Sequence, residues 1–386
     1  MSFRTRGVTL AFAAMTDASK RVVVGMSGGV DSTVAVSRLL REGYEVIGVT
    51  LRMWTDACQG DDEQARESVM MARHDEERDA QAMAKVFGIQ HLVVDKSEAF
   101  RTGVVEPFLQ AYQVGHTPCP CAVCNPLVKI PSLIEVARKL DAAWVATGHY
   151  ARVVKHANGF RVARGVDRTK DQSYFLVGLT NDMLGRLLLP LGNDTKQQVR
   201  EEAISHGWVS RSKSESQDLC FVGDRKYAQF VEQHVGEKLC GGWIVDAQGR
   251  QLARHRGVHN FTLGQRKGLG IAVGRPVFVC HIDPRSAQVV VGDESASMVS
   301  SVEVARPNVA PGVSFPLRAR VQVRYRDKGT PATVIVGDDG AAQFVFDTPV
   351  RAATPGQFAV AYVDDEVQMG GMITRVVMET ASSTAI

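Results

Sequence analysis

The sequence has no run of apolar residues that approaches the roughly 20 needed to cross a membrane, so no membrane span is predicted. Its charges almost cancel, since 45 Lys and Arg stand against 42 Asp and Glu for a net charge of +3. It lacks the strong basic excess that often accompanies nucleic-acid binding, so any polyanion must be met by local patches. Internal repeats and low-complexity tracts are missing, and 45% hydrophobic residues exclude a disordered or collagen-like chain.

Cysteine is scarce, and its seven copies are unevenly placed. An odd number cannot be fully paired, and three of the cysteines fall within the six residues 119–124. In a chain of this length, such a cluster favours metal binding or thiol chemistry in a reducing compartment over a disulfide framework. The sequence therefore predicts a cytoplasmic protein.

The 386 residues are too many for one compact domain. From residue 21, short β-branched runs alternate with helical periodicity, which predicts an α/β domain with a doubly wound parallel sheet over 21–215. Beyond residue 280 the strands have period two and are separated by turn signals, which predicts a C-terminal β-barrel over 281–386. We expect residues 1–20 to be an N-terminal extension and residues 216–280 to be a small connecting domain.

A glycine-rich loop between the first predicted strand and helix reads GMSGGVDS from Gly25 to Ser32. Its glycines allow a tight turn whose N–H groups can approach an anion at the positive end of the helix. The loop lacks the lysine of the Walker pattern and the spacing of a dinucleotide fingerprint. Asp31 is unusual there, because a carboxylate beside a phosphate is repulsive unless a divalent cation such as Mg²⁺ lies between them.

The same residues match the PP-loop motif of the ATP pyrophosphatases, which cleave ATP between the α- and β-phosphates and adenylate a substrate oxygen. A second match, Thr147-Gly148-His149-Tyr150, follows a predicted strand. Ligands bind at the carboxyl ends of strands in open α/β sheets, so this segment is predicted to face the nucleotide.

Two cysteines combine with the nucleotide loop to indicate sulfur transfer. Cys124 precedes a helix predicted over 127–140, and a helix N-terminus favours thiolate over thiol. Cys220 follows about a hundred residues later, and one thiol could carry a persulfide that the other resolves. Taken alone, Cys220 would more commonly be a small buried apolar residue. We predict that three other cysteines are small buried apolar residues without a chemical role: Cys58, Cys240 and Cys280.

In the order and spacing of its motifs, the chain resembles the bacterial tRNA-specific 2-thiouridylases over nearly its whole length. These enzymes replace the C2 oxygen of the wobble uridine of tRNA by sulfur. Beyond the two nucleotide motifs, the resemblance rests on the following segments: Cys124-Asn125, KDQSYFL from Lys170, DLCF from Asp218, TLGQRKGLG from Thr262, Arg324-Tyr325-Arg326 and TPGQ from Thr354.

The resemblance assigns roles to these positions. It implies that Cys124 is the catalytic nucleophile and that Cys220 carries the persulfide. It implies a site for ATP, with Mg²⁺, formed by Gly25, Met26, Ser27, Gly28, Gly29, Val30, Asp31, Ser32, Leu51 and Gly148. Positions where the family touches tRNA are Cys119, Pro120, Cys121, His149, Lys170, Asp171, Gln172, Arg324, Tyr325 and Gln357. The implied partners are wobble-uridine tRNAs for Lys, Glu and Gln and a sulfur donor, either a cysteine desulfurase or a relay protein.

The cysteine loop departs from the family pattern. Many members have Asn-Pro-Asp or Asn-Pro-Cys where this chain has Cys119-Pro120-Cys121, and the first and third positions contact the target base. A free thiol with a pKa near 8.5 cannot simply replace an aspartate that acts as acid or base. An alternative is that Cys121, Cys124 and Cys220 ligate an iron–sulfur cluster that binds sulfide, with zinc as a further possibility.

Charge is unevenly placed along the chain. Residues 250–267 contain five basic residues and no acidic one, and residues 301–330 contain six basic against two acidic. Such local excess suits a phosphate backbone. Residues 56–79 carry nine acidic and three basic residues and are predicted to be a mobile surface insertion near the ATP site.

Two other functions compete with tRNA thiolation. A PP-loop synthetase acting on a small molecule would explain the glycine loop, but neither the cysteines nor the basic barrel. A non-catalytic, metal-dependent RNA-binding module would explain the cysteines and the basic segments, but would leave Asp31 and the loop without a role.

Overall fold

The computed structural model describes residues 20–54, 63–208, 219–222, 227–236, 239–351 and 353–378, with the backbone alone over 63–74. All but Lys20 of the predicted N-terminal extension lies outside these residues, and so does Cys58. Within the described ranges, none of the helices has the length and apolarity needed to cross a membrane.

The first part of the chain alternates strands and helices. Their bounds are β1 Arg21–Gly25, α1 Val30–Arg41, β2 Glu45–Arg52, α2 Glu63–Phe87, β3 Gln90–Asp95, α3 Ser97–Phe100, α4 Glu106–Gln113, α5 Pro120–Cys124, α6 Ile130–Lys139, β4 Trp144–Ala146, β5 Ala151–His156, β6 Gly159–Arg164, α7 Asn181–Leu184, β7 Leu187–Leu188, α8 Lys196–Ser205 and α9 Tyr227–Val235. Five strands form a parallel sheet in the order β3-β2-β1-β4-β7. The predicted doubly wound α/β domain is confirmed.

The central strand β1 is buried on both faces, as its run of valines predicts for a parallel strand. Val22 and Val24 belong to one apolar cluster with Leu39 of α1. Val23 points the other way and joins a second cluster with Leu133 of α6. Because side chains alternate along a strand, this one short run holds helices on both faces of the sheet.

The helix predicted over 127–140 begins earlier than expected. α5 starts at Pro120, a π-helical turn follows over Asn125–Lys129, and α6 continues without a break. Proline suits the first position of a helix because its missing N–H would have no partner there. Cys124 therefore lies inside a helical segment that has already completed its first turn.

Part of the predicted mobile surface insertion over 56–79 is helical, since residues from Glu63 onward form α2. Glu76, Asp79 and Ala80 of this helix lie beside Gly28 of the glycine loop, which agrees with the predicted place near the ATP site, and mobility of the segment stays a prediction. Residues 55–62 lie outside the described part of the chain.

The middle of the chain forms a second sheet. Its strands are β8 Gly242–Asp246, β9 Gln251–His255, β10 Phe278–Asp283 and β11 Gln288–Gly292, in the order β10-β11-β8-β9. The boundary predicted at residue 280 passes through β10, and Val289 of β11 pairs with Ile244 of β8. We therefore move this boundary to between Gly292 and Met298, because the β10–β11 hairpin belongs to the middle sheet.

The C-terminal strands close into a barrel. They are β12 Met298–Val304, β13 Asn308–Val309, β14 Leu317–Gln322, β15 Thr330–Val336, β16 Ala342–Arg351, β17 Phe358–Val363 and β18 Glu366–Met378. The path β12-β16-β15-β14-β17-β18 returns to β12 through a β12–β18 pairing, so the predicted barrel is confirmed. The β5–β6 hairpin of the first domain joins β18 through the pair Ala163–Glu366, which extends this sheet into the first domain.

Candidate functional site

The glycine loop leaves β1 at the carboxyl edge of the parallel sheet and enters α1. Gly28 has a positive φ of 70°, and a Cβ there would lie 2.6 Å from the carbonyl oxygen of Glu76 in α2. Glycine is therefore required by both backbone conformation and space. The Ser32 Oγ accepts from the Ser27 N–H at 3.3 Å and donates to the Gly29 carbonyl oxygen at 3.1 Å, which closes the loop on itself.

A cavity of about 260 Å³ opens over this loop, and we call it the nucleotide cavity. Of the ten positions predicted to bind ATP, seven line it: Gly25, Met26, Ser27, Asp31, Ser32, Leu51 and Gly148. Gly28, Gly29 and Val30 are not among its lining residues. Gly28 and Gly29 form the turn, and Val30 begins α1.

The Asp31 carboxylate is held by two side chains from distant segments. Lys196 Nζ lies 2.7 Å from Oδ1 and 2.8 Å from Oδ2, and the Tyr150 hydroxyl donates to Oδ1 at 2.7 Å. Sequence reasoning missed Lys196. The signal that could have found it is the start of α8, where Thr195 and Gln198 form a capping box that puts Lys196 at the first helical position.

Gly148 gives the loop room to pass. A Cβ at this position would lie 2.9 Å from both the Cβ and the carbonyl carbon of Asp31. We expect Gly148→Ala to push Asp31 out of place and to weaken ATP binding about tenfold or more, measured by titration calorimetry. Gly103→Ala is the matched control, because a Cβ there meets only ordinary contact at 3.7 Å from Val128. Equal ATP affinity in both variants would contradict the prediction.

A second cavity of about 290 Å³, the cysteine cavity, adjoins the first. Cys121, Cys124 and Cys220 all line it. Eight residues line both cavities: Ser27, Thr50, Leu51, Met53, Glu76, Lys129, His149 and Gln172. The fold therefore brings Cys121, Cys124 and Cys220 into the lining of one cavity that borders the nucleotide cavity.

Cys124 is buried, with 7% of its surface exposed, and its Sγ lies 3.9 Å from Met53 Sδ. The expectation of a thiolate stabilised by a helix N-terminus is wrong, because a full helical turn precedes this residue. Burial raises the pKa of the Cys124 thiol, and the positive charge of Lys129 acts against that rise. In the free protein, Cys124 is therefore mainly a protonated thiol at neutral pH.

The other cysteines of the site differ in exposure. Cys119 is the N-cap of α5 and does not line the cysteine cavity. Its thiol is buried, and this burial raises its pKa to about 12. Cys121 and Cys220 are exposed. Phe221 anchors the Cys220 segment, because its ring is 1% exposed and packs against Phe108 with centroids 5.0 Å apart.

Several positions predicted to touch tRNA make side-chain contacts within the protein. The Asp171 carboxylate accepts from the Arg164 guanidinium at 3.0 Å, the Gly165 N–H at 2.9 Å and the Ser173 hydroxyl at 2.9 Å. His149 is buried with its Nδ1 2.7 Å from Thr147 Oγ1, and burial lowers its pKa to about 3, so it is neutral at physiological pH.

Gln357, in the C-terminal barrel, is another position predicted to touch tRNA, and its Nε2 donates to the Thr117 carbonyl oxygen at 2.9 Å. Gln172 lines both cavities and accepts from the Tyr150 N–H at 2.9 Å. Tyr325 packs its ring on Phe175 with centroids 4.3 Å apart, and Phe175 lines the cysteine cavity. Lys170 is half-buried and Arg324 is exposed. Contact of these residues with tRNA stays a prediction.

Comparison with known proteins covers almost the whole chain. Profiles described as the tRNA methyl transferase HUP domain, the tRNA methyl transferase PRC-barrel domain and the aminomethyltransferase β-barrel domain match residues 20–224, 228–293 and 300–373. A protein of Sorangium cellulosum named tRNA-specific 2-thiouridylase MnmA is 46% identical over 94% of either chain. Proteins of the same name from Carboxydothermus hydrogenoformans and Lachnoclostridium phytofermentans are 42% and 40% identical, covering 92% of this chain and 98% and 100% of theirs.

Proposed function

The chain belongs to the tRNA-specific 2-thiouridylase family, and from this premise we propose that its two cavities perform the two halves of one reaction. In the first half, ATP adenylates the C2 oxygen of the wobble uridine and pyrophosphate leaves. In the second half, sulfur from a Cys220 persulfide replaces the adenylated oxygen, which gives 2-thiouridine and AMP. The observation that carries this proposal is the wall shared by the nucleotide and cysteine cavities, because C2 must meet both reagents.

The adenylation half uses the glycine loop and Asp31. Loop N–H groups and the N-terminus of α1 would bind the phosphates. The residues present fit Mg²⁺, because Mg²⁺ in nucleotide sites is held by one or two carboxylates plus phosphate oxygens, and Asp31 lines this cavity. When bound, the ion neutralises phosphate charge. The Lys196 ammonium, 2.7 Å from the same carboxylate, adds a second positive charge. That charge favours departure of pyrophosphate.

The second half of the reaction, the sulfur transfer, uses two thiols. Formation of a disulfide between them supplies the two electrons that reduce the terminal persulfide sulfur to hydrosulfide. The Cys124 thiolate attacks the inner sulfur of the Cys220 persulfide, and the terminal sulfur leaves as hydrosulfide. The hydrosulfide adds to C2 and AMP departs with the former O2, while a disulfide joins the two cysteines. A thiol reductant restores both thiols before the next persulfide is loaded by the donor protein.

Lys129 provides the charge that this step needs. Among the described residues, it is the only lysine or arginine that lines both cavities. Its ammonium group lowers the pKa of the Cys124 thiol, which burial raises. The same charge can stabilise the phosphate of the departing AMP.

This arrangement predicts a pH dependence. Because burial raises the pKa of Cys124, its thiolate fraction and its rate of alkylation by iodoacetamide should be low at pH 7 and rise in the alkaline range. Lys129→Met removes the opposing charge and should shift the midpoint of this rise to higher pH, as followed by mass spectrometry of the labelled peptides. Cys240 provides the internal control in the same samples, because it is exposed and not buried as the sequence predicts. An unchanged Cys124 midpoint in the variant would contradict the role given to Lys129.

An iron–sulfur cluster on Cys121, Cys124 and Cys220 is the alternative sulfide source. Across the described ranges, no three Cys, His, Asp or Glu side chains are grouped so that they could hold a metal ion, so these thiols as they lie do not fit a cluster. We therefore derive no step through one. Iron and acid-labile sulfide assays on anaerobically purified protein distinguish the two routes, and stoichiometric amounts of both would favour the cluster.

We expect the substrate to be tRNA with a wobble uridine, probed with the Lys, Glu and Gln tRNAs. Exposed Arg324 and Arg326 of the C-terminal barrel provide a basic surface for phosphate contacts. The proposed function is tested by mass spectrometry of bulk tRNA from a strain lacking this gene. Loss of wobble 2-thiouridine, restored by the intact gene, is the expected result. Unchanged 2-thiouridine would instead favour a PP-loop synthetase that acts on a small molecule.

A further inference from the structure

The C-terminal barrel holds the segment that leads into the cysteine helix. The Thr117 N–H donates to the Pro355 carbonyl oxygen at 3.1 Å, and the Cys119 N–H donates to the Gly356 carbonyl oxygen at 3.2 Å. The Gln357 Nε2 adds bonds to the carbonyl oxygens of Thr117 at 2.9 Å and Pro118 at 3.4 Å. We call residues 117–119 and 355–357 together the clamp.

The two segments of the clamp pack closely against each other, and hydrogen bonds connect the clamp to a strand of the barrel. Gly356 has a positive φ of 92°, and a Cβ there would lie 3.0 Å from the Thr117 carbonyl oxygen. Its N–H donates to the Ile373 carbonyl oxygen at 3.0 Å, and the Ile373 N–H donates to the Gln357 carbonyl oxygen at 2.8 Å. Since Ile373 lies in β18, a displacement of the barrel is passed to the clamp through hydrogen bonds.

The middle domain touches the same segment from another side. The Thr117 hydroxyl lies 3.2 Å from the Thr262 hydroxyl, and a Cβ on Gly115 would lie 2.6 Å from Ile282 Cγ2. Both domains that carry the basic segments therefore contact residues 115–119, directly before the first residue of α5.

We propose that Gln357 is a positioning residue that orients α5, and with it Cys121 and Cys124, from the C-terminal barrel. This inference rests on the proposed thiolation reaction. The clamp ends at Cys119, the N-cap of the continuous helical segment that begins with α5, so it holds the end of that segment in which Cys121 and Cys124 lie. The barrel then does more than hold tRNA, because it completes the geometry of the cysteine cavity.

This role differs from the direct tRNA contact implied by the family resemblance. The carboxamide nitrogen of Gln357 already donates to the Thr117 and Pro118 carbonyl oxygens. A positioning residue should affect the turnover rate and leave tRNA binding unchanged. A tRNA contact should raise KM for tRNA and leave kcat unchanged.

The experiment compares Gln357→Leu and Gln357→Glu with the full-length protein. Leucine removes both donors, and glutamate keeps the shape while setting a carboxylate against two carbonyl oxygens. We expect kcat for thiolation to fall about tenfold or more in both variants, with KM for tRNA unchanged, because two hydrogen bonds are lost. Gln343→Leu is the matched control, since the side-chain amide of that exposed barrel glutamine donates to the Ser301 hydroxyl of the same barrel.

A second measurement needs neither tRNA nor ATP. Cys119 is buried in the clamped segment, so loosening the clamp should raise its alkylation rate several-fold. Cys280 lies in β10 of the middle domain and should keep its rate, which separates a loosened clamp from general unfolding. An unchanged Cys119 rate, or a rise in KM for tRNA at constant kcat, would overturn the proposal. Absence of 2-thiouridine formation by the unmodified protein would instead count against the proposed function.

Discussion

Replacement of Cys124 by serine is expected to reduce formation of 2-thiouridine by more than about 10³-fold, because a hydroxyl cannot replace a thiolate as attacking group on a persulfide. Cys124 lines the cysteine cavity but not the nucleotide cavity, so ATP affinity should be unchanged. Thiolation is measured by mass spectrometry of nucleosides from tRNA treated with the purified variant and a persulfide source.

Cys220→Ser should give the same loss for a different reason. Cys220 is exposed, and the proposed loading of sulfur by a donor protein requires such exposure. In the Cys124→Ser variant the persulfide on Cys220 should accumulate, and in Cys220→Ser no persulfide should be found at the site. Cys280→Ser is the matched control, since this half-buried thiol lies outside both cavities. Full thiolation by either of the first two variants would refute the assignment.

Replacement of Asp31 by alanine is expected to lower the rate of adenylation by at least about 10²-fold. The variant loses the carboxylate that can hold Mg²⁺ beside the phosphates, and it loses the group that fixes Lys196 at 2.7 Å. Release of pyrophosphate in a single turnover with tRNA measures this step. Exchange between ATP and pyrophosphate gives a second readout.

The control for Asp31→Ala is Asp182→Ala, which removes an exposed carboxylate in α7 of the same domain. This control should keep the full rate of adenylation. If Asp31→Ala retains ATP–pyrophosphate exchange, Asp31 does not act in adenylation and the site needs another metal ligand.

Together these variants separate the two halves of the reaction. Cys124→Ser should still form adenylated tRNA, whereas Asp31→Ala should still carry a persulfide on Cys220. Such a division is expected because the two cavities meet at a shared wall but have different lining groups. A single defect common to both variants would indicate that the cavities do not act separately.

Local features were predictable because they depend on neighbouring residues. The valines of β1, the glycines that follow and the apolar face of α1 lie within 20 residues and determine a strand, a turn and a helix. The start of α5 was also readable, since Pro120 signals the first position of a helix, yet the prediction placed that helix at residue 127. The resulting error about Cys124 concerns its electrostatics and leaves its place in the cysteine cavity unaffected.

The sequence by itself therefore determined the α/β class, the glycine loop between β1 and α1, and the cysteines to consider, since these follow from local pattern and residue chemistry. Only the tertiary structure decided which distant groups meet. It sets Lys196 against Asp31, Cys220 in one cavity with Cys124, and Gln357 against Thr117. It also decided the burial that raises the pKa of Cys124. Such contacts depend on how three domains pack, and packing is a property of surfaces that no local stretch of sequence contains.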